Sequence, residues 1–197
     1  ITNSVAAWVR LESDHCQLSL AHCRIEDNDG NGIRIEGHSN VLAIDNCIIA
    51  RNEGLGIKSS STSVHLNYVT IAENENGAWS ATQNGPSEIN NSILSNNGWG
   101  DFSVPENTLN QYCYFQQYPN FVTDTYHLQT YSPCVDAAMP WHTDEHMPFG
   151  IGGLRADMGA YGGPNNAGWG GDPAPSGDPT ISSITDSPQD QGNMVGV

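Results

Sequence analysis

Between Gln17 and Phe102 the chain repeats one arrangement of apolar and polar positions four times. The blocks read LSLAHCRIEDN from Leu18, LAIDNCIIARN from Leu42, VHLNYVTIAEN from Val64 and EINNSILSNN from Glu88. Each closes on asparagine, at Asn28, Asn52, Asn74 and Asn97, so the steps are 52−28 = 24, 74−52 = 22 and 97−74 = 23 residues. The same steps relate Leu20, Ile44, Leu66 and Ile89, then Ile25, Ile49, Ile71 and Leu94, and further along Val9, Ile33, Ile57, Trp79 and Phe102. Three columns that share one period of roughly 20–50 residues indicate a solenoid or array. Inside a block, apolar residues lie two apart, as in Leu18/Leu20, Cys23/Ile25 and Ile33/Ile35. That is the period of a strand and not of a helix, and it predicts three short strands per coil. Asparagine suits the corner because it tolerates left-handed backbone and its amide can bond both its own turn and the asparagine stacked above it. The predicted outcome is an asparagine ladder.

The ladder and the Gly-Ile strand after it (Gly32-Ile33, Gly56-Ile57, and Gly77 ahead of Trp79) resemble right-handed parallel β-helix proteins, the pectate-lyase-like solenoids. Downstream, YPNFVTDTYHLQTYSPCVDA from Tyr118 and RADMGAYGGPNNAGW from Arg155 resemble the closing segment of secreted bacterial β-helix repeat proteins. The resemblance implies an all-β fold, a right-handed single-stranded parallel β-helix, with coils over 1–107 and a closing segment over 108–169. It also implies a secreted or cell-surface location and a sugar groove along the sheet whose strands open each block, the one that carries Ser19, Ala43 and His65. It does not name an activity, since lyases, hydrolases, epimerases, adhesins and plain surface proteins share this architecture.

Val9 and Leu11 match Ile33 and Ile35, so the chain opens in mid-coil and is expected to be part of a longer or processed protein. After Trp169 the composition turns to GGDPAPSGDP, a Pro/Gly/Ser/Asp linker over 170–179. Residues 180–197 resemble the first strand of an immunoglobulin-like or fibronectin-like module. An isolated strand cannot fold alone, so this stretch is expected to be poorly ordered or docked on the solenoid.

At 197 residues one domain is expected. Only 14% of residues are charged, against about 25% in ordinary soluble proteins, so Asn, Ser, Thr and Gly must cover the outside. Lys+Arg number 6 against 22 Asp+Glu, a net charge of −16, which makes nucleic acid and anionic membrane poor partners. Ca²⁺ or another divalent metal is the cofactor such a charge would invite. No run of 18 apolar residues occurs, so no membrane insertion is expected. Of five cysteines, Cys23 and Cys47 share a column and should stack inside as thiols or as an inter-rung bridge. Cys113 and Cys134 flank the closing segment and would be able to staple it. Cys16 has no obvious mate.

Outward positions carry the candidate chemistry. Arg10, Arg34 and Lys58 share one column, half of the cations in the chain. They would suit an anionic polysaccharide or simply pair with Glu12 and Glu36. On the preceding strand the outward column is read as Ser19, Ala43, His65 and Asn90, with Asp45, Asn46, Asn67 and Tyr68 at the corner. Amides and carboxylates for sugar hydroxyls, together with aromatic faces for its C–H groups, make Asn46, Asn67, Tyr68, Trp99 and Trp141 the candidates for binding polysaccharide. Plain solvation of a corner is the competing reading. For catalysis, hydrolysis needs two carboxylates facing one bond, and Asp45 with Glu88, assisted by His65, is the set on offer. A β-elimination base would have to be Lys58 or Arg34, which lie on another face. For metal, Asp27 and Asp29 open a partial calcium-loop pattern in EDNDGNG, and His142, Asp144 and His146 cluster in MPWHTDEHMP. The resulting expectation is a polysaccharide-recognising module of a larger secreted protein, binding more than catalytic. A polysaccharide lyase or glycoside hydrolase and a ligand-free scaffold are the alternatives.

Overall fold

The structure is a computed structural model, and it describes residues 9–82, 85–98, 107–123, 125–146 and 150–169 together with the backbone of 180–185. The coils form a parallel β-solenoid of three sheets. The first sheet contains β1 (Val9–Glu12), β4 (Ile33–Glu36), β7 (Ile57–Ser60) and β10 (Trp79–Thr82). The second contains β2 (Gln17–Ala21), β5 (Asn40–Asp45), β8 (Thr62–Asn67), β11 (Ser87–Asn90) and β13 (Thr108–Gln111). The third contains β3 (Arg24–Glu26), β6 (Ile48–Ala50), β9 (Thr70–Ala72) and β12 (Ile93–Ser95). Every pairing within the coils is parallel, and the register reproduces the sequence columns: Val9, Ile33, Ile57 and Trp79 align, as do Leu20, Ile44, Leu66 and Ile89, and Ile25, Ile49, Ile71 and Leu94. Phe102 lies outside the described residues.

These columns point inward and form one continuous core. Trp79 replaces an isoleucine of its column and is fully buried. Its indole N–H, which a core position must satisfy, donates to Ser59 Oγ at 2.9 Å. The ladder is present: Asn28 Nδ2 donates to Asn52 Oδ1 at 2.7 Å, Asn52 Nδ2 to Asn74 Oδ1 at 2.8 Å, and Asn74 Nδ2 to Asn97 Oδ1 at 2.9 Å. The left-handed residue is not the ladder asparagine, however, but the one before it: Asp27, Arg51, Glu73 and Asn96 have φ of 51–57°. The ladder amide bonds its neighbours, and the preceding residue makes the bend. Two more corner columns do the same, His15/Ser39/Ser61 and His22/Asn46/Tyr68/Asn91/Tyr112, with φ of 45–57°. A left-handed non-glycine costs about 1–2 kcal/mol, which the ladders offset. Gly32 follows the ladder because a Cβ there would lie 2.8 Å from Ile49 Cγ2 and 2.9 Å from the Gly56 carbonyl.

The third sheet is buried on both faces. Its outer side is covered by described residues of the closing segment between Phe121 and Trp169, which do not continue the coil. Tyr126, Ala160, Tyr161 and Trp169 pack on Ile48, Ala50 and Ala72, and a short 3-10 helix at Asn166–Trp169 ends the segment. All five cysteines are thiols and none is in a disulfide. Cys23 and Cys47 stack in the core as expected, as thiols and not as a bridge, and Cys113 and Cys134 form no staple. The backbone of β14 (Thr180–Thr185) pairs antiparallel with β2 and covers that edge of the second sheet.

Candidate functional site

The second sheet presents two outward columns. Ser19, Ala43, His65, Glu88 and Leu109 are in register, as are Ala21, Asp45, Asn67, Asn90 and Gln111. Glu88, and not Asn90, therefore stands beside His65, as the inward column requires: Ile89 aligns with Leu66, and the residue before it takes the outward place. His65, Glu88 and Gln111 are exposed, and Asn67 and Asn90 are half-buried. Asp45 and Glu88 share this face but are two rungs and two residues apart, roughly 12 Å between backbones. Asp45 is also engaged: Asn67 Nδ2 donates to its Oδ1 at 2.9 Å and Asn165 Nδ2 to its Oδ2 at 3.0 Å. The two carboxylates thus share one outward face, with that of Asp45 already bonded by two amides.

Corner residues that sequence spacing leaves in water are covered by the closing segment. Asn46 is fully buried, and its Nδ2 donates to the carbonyls of Ala160 (2.9 Å) and Gly162 (2.8 Å). Tyr68 is fully buried too, with its hydroxyl 2.7 Å from His142 Nδ1 and burial pushing its phenol pKa up. Asn91 Oδ1 accepts the Met139 N–H at 2.9 Å. Neither Asn46 nor Tyr68 offers a face to a sugar, which corrects the expectation of open corners: the His22–Tyr112 corner column is the seam on which the closing segment docks. Trp99 lies outside the described residues. Trp141 is 70% exposed and packs edge-on against Tyr112, centroids 6.4 Å apart, just past the end of β13.

The metal candidates are dispersed. Asp27 is clamped by Arg51, Nε to Oδ1 at 2.7 Å and Nη2 to Oδ2 at 2.9 Å, and this guanidinium holds its carboxyl below the usual range. Asp29 is exposed. Asp144 accepts the N–H of Gly163 at 2.5 Å and of Asp157 at 3.2 Å, while His142 meets Tyr68. The His146 backbone N–H donates to Asn166 Oδ1 at 2.7 Å. No group of three His, Cys, Asp or Glu among the described residues is placed to hold a metal. Burial, aided by the charges of Asp157 and Asp136, pushes Asp144 up to about 7, and burial pushes Asp157 up to about 6. On the first sheet the column Arg10, Arg34 and Lys58 is confirmed in register. Arg10 pairs with Glu12 and Arg34 with Glu36, so the local ion-pair reading accounts for both arginines.

Sequence reasoning missed the residues that fasten the closing segment to the third sheet. Arg51 Nη1 donates to the Tyr126 hydroxyl at 2.9 Å, which donates in turn to Glu73 Oε2 at 2.8 Å. Arg24 Nη1 donates to the Tyr161 hydroxyl at 3.0 Å and its Nη2 pairs with Glu26 at 2.8 Å. The available signal was the position before each ladder asparagine, where Arg51 and Glu73 recur as polar residues at a turn.

An outwardly polar, inwardly aliphatic three-sheet coil with an asparagine ladder defines a class of repeat protein before any comparison. The chain matches the family described as right handed beta helix region over residues 2–113, more than half its length, and it belongs to that family. Searches of the curated proteins and of the solved structures found no match. No described helix is long and apolar enough to cross a membrane.

Proposed function

We propose that this chain is a polysaccharide-recognising β-helix module of a larger secreted or cell-surface protein, binding its glycan along the outward face of the second sheet. The observation that carries the reading is the continuous amide row Asn67, Asn90 and Gln111, flanked by His65 and Glu88 and ending near the exposed Trp141. Amides both donate to and accept from sugar hydroxyls, and an indole offers the apolar face that sugar C–H groups need. Rungs recur about every 4.8 Å, comparable with the length of one sugar unit in an extended chain. The family's occurrence among polysaccharide-related proteins agrees with this.

Binding is favoured over cleavage because the Asp45 carboxylate is already held on both oxygens, by the amides of Asn67 and Asn165, which leaves it poorly placed to act on a glycosidic bond. The test is incubation with a panel of soluble and insoluble polysaccharides, with and without chelator, scoring retention and sugar release. Retention without release is expected, weakened by Trp141→Ala. Sugar release abolished by Asp45→Ala or Glu88→Ala would overturn the reading, and loss of retention on chelation would bring Ca²⁺ into it. No retention on any polysaccharide would leave scaffolding as the role.

A further inference from the structure

The proposed sheet face is not the only place where aromatic and amide groups meet. A cleft of about 340 Å³ opens where the closing segment passes the Asp27/Arg51/Glu73/Asn96 corner column. Glu73 and Asn96, which follow β9 and β12, line it on the coil side, and residues 118–123 with Tyr126, Gln129 and Tyr131 line the rest. Tyr118 and Tyr131 line it and are 73% and 72% exposed. They share this exposure with Trp141, whereas Tyr68, Trp79, Tyr126, Tyr161 and Trp169 are buried, and aromatics left in water on the wall of a cleft point to a binding role.

The cleft is built rather than incidental. Tyr118 N–H donates to Asn96 Oδ1 at 3.4 Å, which ties the aromatic wall to the coil. Gln129 bonds twice across the loop, Nε2 to the Phe121 carbonyl and its backbone N–H to the Asn120 carbonyl, both at 2.8 Å. Tyr118, Asn120 and Tyr126 hold φ of 65°, 58° and 60° although none is a coil corner. For two tyrosines that is an unfavourable conformation retained by its surroundings. Below them Arg51 holds the Tyr126 hydroxyl, which holds one oxygen of Glu73. The second oxygen of Glu73 and the side-chain amide of Asn120 make no hydrogen bond with the described residues, so acceptor and donor capacity remains at the cleft.

We infer that this cleft is a second glycan subsite, taking a neutral hexopyranose unit against Tyr118 and Tyr131, with Glu73 and Asn120 bonding its hydroxyls. The inference rests on the polysaccharide-binding reading and deepens it by naming the sugar class. A uronic acid is disfavoured, because its carboxylate would meet Glu73 on a chain of net charge −16. Volume supports one or two rings and not a long bound chain, near the lower end of the range for small-ligand sites.

The test is a titration of the full chain, labelled on its tyrosine rings for NMR, with neutral hexo-oligosaccharides and, separately, with oligogalacturonides. Tyr118→Ala, Tyr131→Ala and Glu73→Gln are compared with Trp141→Ala. Both cleft tyrosines are exposed, so their removal should leave the fold intact, which the rest of the spectrum reports. Each aromatic removed is expected to weaken neutral-sugar binding about tenfold, with ring shifts confined to the cleft and retained in Trp141→Ala. Binding lost only in Trp141→Ala overturns the cleft while leaving the sheet face standing. Binding of oligogalacturonides at least as tight as neutral sugars overturns the sugar class. No binding of either sugar overturns the cleft and the broader reading together.

Discussion

Replacing Asn52 by alanine tests whether the ladder holds the coils together. Asn52 is buried in the middle of the stack, and its side chain takes part in four hydrogen bonds. It accepts from Asn28 Nδ2 (2.7 Å) and from the Asn28 N–H (3.3 Å), and it donates to Asn74 Oδ1 (2.8 Å) and to the Ile25 carbonyl (3.1 Å). Alanine removes all four and leaves their partners inside the coil without water to replace them. At about 1 kcal/mol per bond, and more where a buried group is stranded, the loss is roughly 3–5 kcal/mol. That is a large share of the roughly 5–15 kcal/mol that holds a domain folded. Asn76→Ala is the matched control: the same atoms are deleted, but its one bond, Nδ2 to the Glu53 carbonyl at 2.8 Å, is exposed, so about 1 kcal/mol or less is expected. Asn52→Asp should be no better than alanine, because an oxygen would then face the Ile25 carbonyl and Asn74 Oδ1. Urea unfolding followed by far-UV circular dichroism, with slopes compared to confirm that midpoints report stability, measures the difference. If Asn52→Ala falls within about 1 kcal/mol of Asn76→Ala, the buried ladder is not what secures the rungs.

The raised carboxyls Asp144 and Asp157 give docking of the closing segment a pH dependence. Their folded pKa values lie above the ordinary 3.8, at about 7 and about 6, so the stability they add is full below about pH 4 and lost as pH rises through 6 to 7. Limited proteolysis of residues 121–169 should therefore be slower at pH 5 than at pH 8, and Asp144→Asn should flatten the change; an unchanged profile in that variant contradicts the assignment. Tyr126→Phe deletes the hydroxyl between Arg51 and Glu73 and should cost about 1–3 kcal/mol, seen as faster amide exchange in the closing segment. If exchange is unaffected, Tyr126 is not a fastener. Cys23 and Cys47 should resist a thiol reagent until the chain is unfolded, when all five cysteines react. Burial pushes the Cys47 thiol pKa up, which further suppresses attack, and an increase in mass on reduction would show a disulfide instead.

Much of the coil was legible in advance because its determinants are repeated. Leu20, Ile44, Leu66 and Ile89 announce a shared interior position by spacing alone, and the structure stacks them in that order. The ladder asparagines were legible for the same reason, though not the fact that Asp27, Arg51, Glu73 and Asn96 take the bend in their place. Backbone handedness at a corner depends on which residue the rung above already engages. Reading Asn90 into the His65 column conflicts with the inward column itself: Ile89 aligns with Leu66, so strand alternation puts Glu88 beside His65.

On the candidate site, spacing correctly separated outward from inward residues on β5, β8 and β11 but not exposed from covered ones. Asn46 and Tyr68 read as wet corner residues, yet Asn46 meets Ala160, 114 positions away, and Tyr68 meets His142, 74 positions away. The aperiodic closing segment carries no internal standard against which such partners could be read. What the sequence by itself determined was the β-helix: its period, its three inward columns and its ladder, all set by short-range packing that each coil repeats against the next. Only the tertiary structure decided which outward surface stays open, leaving the amide row and the Tyr118–Tyr131 cleft while covering the corner, because that choice rests on single long-range contacts that no repeat records.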